Sequence, residues 1–382
     1  MILLINQHTV PIFVDVANAF ASSGEKVILF TGHIELGKKP LDPSIKVVRS
    51  KFYQRRSSFT RIVSWLIFSA HYFLYLIFSK RPSKVLVVTN PPLAPVITFW
   101  VTRFKKIPYF ILVYDLYPEA LFQAGFTKSS NMIYRRWQKI NNKIFIAAEK
   151  IFTLSESMKK AVAVYIPASE KKIKVIFNWV DSSYIEPMAR ESNPFVKEFN
   201  LNGKFVILYS GNMGLTHDLE SVLDAATSLH DNPSVIFVFI GEGGKRQKLI
   251  DMKRDRNLAN VLFLPYQTAD FFPFAMASAD IGIVTLGHGA EGISVPSKTY
   301  VTMAAGLCLL TIAPLDSELT RLVEDYKVGL SIGPGHGNQL AEQIIFLMKN
   351  PDVLETYKAA ARKTSLLFSP ENALLYVKEL SN

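Results

Sequence analysis

The sequence predicts an α/β protein with two doubly wound parallel-sheet domains. Three observations support this fold class: a length of 382 residues, short apolar runs that alternate with helical segments, and a restart of that alternation near residue 204. Parallel strands need long crossover connections, which are usually helices, so the alternation indicates parallel sheets. A chain of this length generally forms more than one domain.

Runs rich in β-branched and aromatic residues mark the predicted strands. In the first half they are Ile2–Ile5, Lys26–Phe30, Lys46–Val48, Val85–Val88, Tyr109–Val113, Ile151–Leu154 and Lys174–Ile176. In the second half they are Phe205–Tyr209, Val235–Ile240, Val261–Leu264, Ile281–Val284 and Leu309–Ile312. The polar stretch from Asn178 to Asn202 contains Pro187 and Pro194, which is typical of a linker with a short helix.

Composition excludes several classes of protein. Hydrophobic residues make up 49% of the chain and charged residues 20%, as in globular proteins. The single cysteine, Cys308, excludes a disulfide framework and a multi-cysteine metal site. The sequence has neither a Gly-x-Ser-x-Gly elbow nor a Walker motif, which disfavours hydrolase and P-loop functions. We interpret the apolar run Ile2–Ile5 as a strand rather than a secretory signal, because no basic residue precedes it and it is short.

Positive charge is concentrated in the first half of the chain. The net charge is +11, but residues 1–180 contain 26 Lys and Arg against 9 Asp and Glu, whereas residues 181–382 contain 17 against 23. This asymmetry indicates two lobes with different partners. The basic lobe suits an anionic membrane or a phosphorylated substrate, unless its charge serves solubility alone. Nucleic acid is disfavoured as a partner, because no nucleic-acid reading motif is present.

One uncharged segment, residues 62–78, raises the question of a membrane. It is slightly shorter than the roughly 20 residues of a transmembrane helix. Three interpretations stay open: a true span, a buried crossover helix, and a helix with one face in the membrane interface. Trp65, Tyr72 and Tyr75 suit the interface. The basic residues that would meet anionic headgroups are Arg49, Lys51, Arg55, Arg56 and Arg61.

Three loops after predicted strands carry the candidate chemistry of the second half. Residues 211–214 and 241–244 are glycine-rich turns that let the backbone approach a ligand closely. Residues 295–306 begin a helix after Pro296 and place the cation Lys298 near its start, which suits a phosphate. Each loop also fits an ordinary strand-to-helix turn. Since residues 241–244 lack the full dinucleotide fingerprint, a nicotinamide site is disfavoured.

The first half offers two carboxylates at a strand end. Asp115 and Glu119 follow the run Tyr109–Val113, so they are expected at the carboxyl edge of the first sheet, where ligands bind. Either side chain could act as a general base or bind a sugar hydroxyl. The alternative is structural, with Asp115 capping a helix that has Pro118 in its first turn.

Taken in order, these motifs resemble the GT-B glycosyltransferases of glycosyltransferase family 4. The closest resemblance is to the bacterial branch that builds O-antigen, capsule and colanic-acid-type polysaccharides and includes fucosamine transferases. It covers nearly the whole chain. It rests on Thr89-Asn-Pro-Pro92, Tyr114-Asp-Leu-Tyr-Pro-Glu119, Leu154-Ser-Glu156, Val175-Ile-Phe-Asn-Trp-Val-Asp181, Gly211-Asn-Met-Gly214, Gly241-Glu-Gly243, Ala279-Asp-Ile281 and Val295-Pro-Ser-Lys-Thr-Tyr300.

The resemblance implies a retaining transfer of a sugar from a nucleotide diphosphate donor, with UDP-sugars favoured. The acceptor would be a polyprenyl-diphosphate-linked saccharide at the cytoplasmic face of the plasma membrane, with the protein peripheral there. Residues 1–180 would form the acceptor domain and 181–368 the donor domain, facing a cleft, and a last helix within 369–382 would cross back to the first domain. No metal or other cofactor is expected, since backbone amides, a helix dipole and Lys298 would stabilise the leaving diphosphate.

The resemblance also assigns roles to residues of this chain. The catalytic candidates are Asp115, Glu119 and Lys298. The candidates for donor binding are Gly211, Asn212, His217, Gly241, Glu242, Pro265, Tyr266, Glu291, Ser297 and Thr299. The family's paired glutamates fall on Ile293 and Val301, so Glu291 is left to bind hydroxyls in their place. This departure keeps two alternatives open: a UDP-sugar 2-epimerase-like GT-B enzyme, and a catalytically degenerate protein that binds nucleotide-sugars.

Overall fold

The computed structural model describes residues 1–35, 37, 39–53, 58–119, 122, 131–286 and 296–381. The chain divides into two compact units. The first spans Met1–Asn178 and Pro370–Asn382, and the second spans Trp179–Glu291 and Pro296–Ser369. Each unit contains a parallel sheet with helices packed on it, so the α/β prediction is confirmed.

The sheet of the first unit has seven parallel strands in the order β3-β2-β1-β4-β5-β6-β7. They are β1 Ile2–Ile5, β2 Val27–Thr31, β3 Lys46–Arg49, β4 Lys84–Val88, β5 Tyr109–Val113, β6 Ile151–Thr153 and β7 Ile173–Val175. The central strand β1 is fully buried, because helices cover both faces of a doubly wound sheet. A short pair of strands, His8–Thr9 and His33–Ile34, was not predicted, since two residues carry no periodic signal.

The helices of this unit complete its two outer layers. They are α1 Pro11–Ser22, α2 Ser58–Phe78, α3 Ala94–Lys105, α4 Met132–Ala147, α5 Glu156–Ala163 and, from the end of the chain, Ala373–Ser381. The last of these packs against α1. Tyr376 lies edge-on to Phe152 with ring centroids 5.0 Å apart, and Lys150 forms a 3.0 Å ion pair with Glu379. The C-terminal helix is therefore part of the first unit.

Helix α2 differs from an ordinary surface helix because its outward face is apolar, as much of its packed face is. The face packed on the unit includes Ser64, Ser69 and Tyr72, all at most 4% exposed, and the Tyr72 hydroxyl lies 2.8 Å from Thr98 Oγ1 of α3. The outward face is apolar. Its exposed large side chains are Phe59, Ile62, Leu66, Ile67, Phe73, Leu74 and Phe78. The expectation that Tyr72 suits the membrane interface is wrong, because this ring is buried in the domain.

By length and composition, the segment Phe59–Phe78 could cross a membrane, yet 28% of its apolar window is buried inside the unit. That fraction comes from one packed side of the helix, where Phe68, Tyr72 and Leu76 are fully buried. A fully buried crossover helix does not describe α2, because most of its apolar window is not buried and large apolar side chains along it are exposed.

The sheet of the second unit has six parallel strands in the order β10-β9-β8-β11-β12-β13. They are β8 Phe205–Ser210, β9 Val235–Ile240, β10 Val261–Leu264, β11 Ile281–Thr285, β12 Cys308–Ile312 and β13 Gly329–Ile332. The edge strand β13 was missed in the sequence, because Gly329 and Ser331 interrupt its apolar pattern. Gly329 is required by geometry: its φ is +157°, and an added Cβ would lie 1.8 Å from the Leu309 carbonyl oxygen.

The helices of the second unit are α6 Pro194–Glu198, α7 Glu220–Ser228, α8 Arg246–Asp255, α9 Phe272–Met276, α10 Lys298–Ala304, α11 Glu318–Tyr326, α12 Gly337–Lys349 and α13 Pro351–Ser365. The stretch expected as a linker contributes Ile185, Phe195, Val196 and Leu201 to a core cluster of this unit. Asn193 caps α6 by accepting a 2.9 Å hydrogen bond from the Phe195 amide. Phe195 and Val196 are fully buried, and Arg190 pairs with Asp280.

In each sheet, the strand order reverses beside the strand that comes first in the sequence. In the first unit the reversal lies between β1 and β4, and in the second between β8 and β11. Doubly wound sheets bind ligands outside the carboxyl ends of the strands at this reversal. The loops that follow β1, β4 and β5, and those that follow β8, β9 and β11, are therefore the places to look for a site.

Candidate functional site

Two glycine turns contact each other at the carboxyl edge of the second sheet. Gly211, after β8, has φ +137°, and Gly241, after β9, has φ +135°. A Cβ on Gly241 would lie 2.1 Å from the Gly211 carbonyl oxygen and 3.3 Å from Tyr266 Cε1. Only glycine allows both the backbone conformation and the close approach. The two turns therefore bring main chain close together at the sheet edge where a ligand of this fold would lie.

Lys298 brings a positive charge to these turns. Its Nζ donates a 2.7 Å hydrogen bond to the Tyr209 hydroxyl and lies 4.0 Å from the centroid of the Tyr209 ring. It would also lie 3.3 Å from a Cβ on Gly211. Within the described ranges, no carboxylate lies within 4.0 Å of Lys298. Burial without a counter-ion lowers the pKa of Lys298 to about 7.

His217 lies beside the same turns as a neutral imidazole. Its Nδ1 is 2.9 Å from Thr285 Oγ1 and 3.1 Å from the Thr285 carbonyl oxygen. Burial, and then the charge of Lys298, lower the pKa of His217 to about 4. The imidazole therefore adds hydrogen-bonding capacity at neutral pH without adding charge.

A second cation near the turns is already neutralised. Lys245 Nζ donates to the His217 carbonyl at 2.7 Å and to a Glu220 carboxylate oxygen at 2.8 Å. Burial alone would raise the pKa of Glu220, but hydrogen bonds from Lys245 and Lys248 lower it to about 2. This network stabilises the start of α7. Among the described residues, Lys298 has no ion-pair partner, whereas Lys245 has one.

Several other candidates for donor binding are exposed to solvent. Asn212 and Glu242 are exposed, and Glu242 pairs with Arg246 at 3.6 Å. Pro265 and Tyr266 are exposed beside Gly241. Ser297 is exposed just before α10 and makes no side-chain cap.

Two further candidates differ in how far the structure describes them. Thr299 is buried, and its hydroxyl lacks a hydrogen-bond partner among the described residues. Glu291 and the loop of residues 287–295 lie outside the described residues.

The structure separates the two carboxylates of the first unit. Asp115 follows β5 at the carboxyl edge, where its amide donates a 3.2 Å hydrogen bond to Thr89 Oγ1. Glu119 is drawn into the domain: it accepts hydrogen bonds from the Tyr165 hydroxyl and, at 3.1 Å, from Gln138 Nε2. Of the two, Asp115 is the one whose position suits contact with a ligand.

Two contributors to the centre were missed from the sequence. Tyr209 lies in the apolar run of β8, so its pattern predicted a core residue, and its ring is indeed 1% exposed. Its hydroxyl nevertheless reaches the Asn212 carbonyl at 2.6 Å and receives the Lys298 hydrogen bond. Thr285 ends β11 and holds His217. Neither residue carries a local sequence signal, because the contacts with Lys298 and His217 join residues far apart in the sequence.

A further hollow of the second unit lies away from the glycine turns. It measures about 760 Å³ and is lined by residues that include Asp224, Arg256, His336 and Asn338, none of them in the glycine turns. It is open to solvent and contains no group comparable with Lys298. Among the described residues, no cluster of three His, Cys, Asp or Glu side chains could hold a metal ion.

The parallel sheet that carries the glycine turns and Lys298 belongs to a widespread fold. Sucrose-phosphate synthase of Thermosynechococcus elongatus superposes on 100% of this chain and 98% of its own with a TM-score of 0.75 at 15% identity. Alr3699/HepE of Anabaena, in complex with UDP and glucose, superposes with a TM-score of 0.74 at 16% identity, and the match covers 99% of this chain and 98% of that protein. The fold is that of the GT-B glycosyltransferases, as predicted.

Sequence relatives point in the same direction. Residues 191–364 match the family model of the glycosyl transferases group 1. WbjE of Pseudomonas aeruginosa, named as a probable glycosyltransferase, is 28% identical over 314 residues, which are 81% of this chain and 78% of that protein. WcaI of Escherichia coli (strain K12), named as a colanic acid biosynthesis glycosyl transferase, is 30% identical over 218 residues, which are 55% of this chain and 52% of that protein.

Proposed function

We propose that this protein is a retaining, metal-independent glycosyltransferase of family 4. It would transfer a hexosyl or amino-sugar residue from a nucleotide diphosphate donor, UDP-linked in the favoured case, to a lipid-linked saccharide in the assembly of a surface polysaccharide such as O-antigen or capsule. The observation that carries the proposal is the half-buried Lys298, whose ammonium group lies beside Gly211, which in turn contacts Gly241. UDP is favoured as the nucleotide because a protein of the same fold binds it.

Each part of the centre has a task in such a transfer. The glycine turns let main-chain amides approach the donor diphosphate, and Lys298 stabilises the negative charge that develops on it as the glycosidic bond breaks. The environment of His217 keeps it uncharged, so it can hydrogen-bond the donor. Asp115 binds or deprotonates an acceptor hydroxyl in the first unit.

Thermal denaturation with nucleotides tests the donor site. We expect UDP to raise the melting temperature more than GDP, CMP, TDP or ADP, since a ligand at 100 times its Kd stabilises by about 2.7 kcal/mol. Absence of a shift with all five would contradict the proposal. Donor binding without turnover, in the presence of lipid-linked acceptor, would favour a degenerate binding protein. Epimerised sugar formed without acceptor would favour the epimerase alternative.

The outward face of α2 supports attachment to the membrane surface. Seven large apolar side chains face outward along this helix, and Phe78 and Phe104 near its end are 81% and 87% exposed. Lys105 joins the ends of α2 and α3 by donating hydrogen bonds to the carbonyls of Leu76 and Ile77. The exposed basic residues around these ends are Lys80, Arg81, Arg103 and Lys106. Apolar side chains ringed by cations match an anionic bilayer surface.

Vesicle flotation tests this attachment. The double variant Phe78→Ser, Phe104→Ser should bind vesicles rich in phosphatidylglycerol at least about tenfold more weakly than the parent, because burying each ring is worth about 1.5–3 kcal/mol. The matched control is Leu366→Ser, Leu367→Ser, which removes two exposed apolar side chains from the second unit. Equal binding by parent and double variant would refute the role of this face.

A further inference from the structure

We propose that Tyr53, Trp65, Tyr117 and Trp137 of the first unit form a platform that binds a sugar ring of the acceptor. The proposal rests on the glycosyltransferase function above and extends it, since it assigns the acceptor's saccharide to named side chains. We call these four residues the aromatic row.

The rings of the aromatic row are in continuous contact. Tyr53 and Trp65 are parallel within 3°, with centroids 6.3 Å apart. Trp65 meets Tyr117 edge-on at 6.2 Å, and Tyr117 stacks on Trp137 at 6.2 Å with an angle of 19°. Two parallel pairs joined by one perpendicular contact make a rigid, stepped surface, because aromatic pairs prefer these geometries.

The row follows the carboxyl edge of the sheet, where a ligand of this fold binds. Tyr53 comes after β3, and Tyr117 comes after β5. Trp65 and Trp137 lie in the first halves of α2 and α4, the helices that begin at this edge. Asn141, one turn after Trp137, donates a hydrogen bond to the Tyr117 carbonyl and so holds the loop under the row.

All four rings are half-buried, so each is held by the domain yet keeps part of its surface open. Polar groups border them. The Arg61 guanidinium lies 5.7 Å from the Trp65 ring centroid, and Asp115 is close enough to add to the rise that burial causes in the pKa of Tyr117. Trp65 Nε1 is shielded from solvent and has no hydrogen-bond partner among the described residues.

A small cavity adjoins the row. It has a volume of about 20 Å³, and Asp115, Tyr117, Trp137 and Asn141 are among the residues that line it. A cavity of this size holds one water-sized group, such as a hydroxyl. Its lining combines a carboxylate, which can accept a hydrogen bond from a sugar hydroxyl, with an apolar ring surface that suits the C–H groups of the sugar.

A pyranose ring fits these features better than a lipid chain does. One face of a pyranose presents C–H groups that pack on an aromatic ring, while its rim carries hydroxyls that need donors and acceptors. The row provides both, with ring surfaces next to Asp115, Arg61 and Trp65 Nε1. A polyprenyl chain would offer no hydrogen-bond acceptor to Trp65 Nε1, which is costly in a partly buried site. Binding sites commonly combine an apolar lining with a few placed polar groups.

Saturation-transfer NMR on the full chain tests the proposal with methyl glycosides of hexoses and N-acetylhexosamines as probes. We expect at least one glycoside to bind, with its ring C–H protons saturated most strongly. Trp137→Leu should weaken this binding at least about fivefold, and Trp137→Phe, which keeps a ring, should retain most of it. Trp100→Leu is the matched control, because Trp100 is an exposed tryptophan of the same unit outside the row.

The outcomes separate this inference from the proposed function. Glycoside binding that Trp137→Leu leaves unchanged would overturn the inference even if UDP binds and sugar is transferred. No binding of any glycoside to a parent protein that binds UDP would also overturn it. If Trp137→Leu fails to fold, tryptophan fluorescence tests the inference instead. Glycosides should change the tryptophan emission of the parent, and this change should be smaller in Trp137→Phe. If glycosides change the emission of Trp137→Phe as much as that of the parent, the inference is overturned as well.

Discussion

Lys298→Met should abolish most sugar transfer while making the folded protein more stable at neutral pH. Methionine fills the space of the lysine stem, but it removes the cation that would stabilise the leaving diphosphate. Loss of one such group costs about 10²–10³-fold in kcat. Stability should rise because the buried ammonium has no counter-ion within the described part of the chain, and its charge is costly there. Initial rates and thermal denaturation measure the two effects.

The pH dependence of stability separates this explanation from simple loss of packing. The pKa of Lys298 is about 7 in the folded chain, well below its ordinary value of 10.5. The unfolded chain therefore binds more protons between these values, and the free energy of unfolding rises with pH across this window by up to about 1.4 kcal/mol per pH unit. Below pH 7 this contribution is flat. A thioether binds no proton in this range, so the Lys298→Met variant should lack this part of the slope.

Lys248→Met is the matched control for that experiment. Lys248 lies in the same unit, pairs with Glu220 at 2.8 Å, and has a side chain 62% exposed. Its removal should change transfer and the pH slope little, because exposed ion pairs contribute only about 0–1 kcal/mol. A Lys298→Met enzyme with parental kcat would contradict the assigned role of Lys298, whatever its stability.

Gly241→Ala should lose both stability and nucleotide affinity. An alanine at φ +135° is strained, and its Cβ would lie 2.1 Å from the Gly211 carbonyl oxygen, which is main chain and cannot rotate away. Strained backbone of this kind costs about 1–3 kcal/mol before the clash is added. Relief requires the two turns to separate, which moves Gly211 away from Lys298. We expect UDP to bind at least about tenfold more weakly by calorimetry.

Gly244→Ala provides the comparison within the same turn. Its added Cβ would lie 3.6 Å from Leu215 Cδ2, an ordinary contact, and Gly244 does not have the left-handed φ of Gly241. This variant should keep parental stability and UDP affinity. Equal losses in both variants would show that the turn is merely sensitive to any side chain, and the proposed close approach of Gly211 and Gly241 would then be unnecessary.

Local patterns were sufficient for the sheets because their strands are buried and apolar. The run Val235–Ile240 was placed with both ends correct, since six consecutive apolar residues leave no ambiguity. The strand Gly329–Ile332 was missed, because an edge strand with glycine and serine lacks that pattern. The prediction of a linker over residues 178–202 was wrong for Phe195 and Val196, which pack into the core of the second unit. The prolines and polar residues around them gave the segment the composition of a linker.

The candidate site likewise contains residues that local sequence patterns predicted and residues that they did not. Glycines after strands and a lysine at a helix start have local signatures, so Gly211, Gly241 and Lys298 were found by chain position alone. Tyr209 and Thr285 were not found, because their contacts with Lys298 and His217 join residues that are 89 and 68 positions apart. The withdrawal of Glu119 into a pocket with Tyr165 and Gln138 was equally invisible in its motif.

The amino-acid sequence thus established the fold class, the glycine turns and the apolar segment of α2, because each is encoded by neighbours along the chain. Tertiary structure decided which face of α2 points outward, that four distant aromatic residues form one row, and that Lys298 lies buried without a counter-ion among the described residues. Those properties depend on burial and on distances between residues far apart in sequence. Burial is also what lowers the pKa of Lys298, and so the chemistry of that lysine exists only in the folded chain.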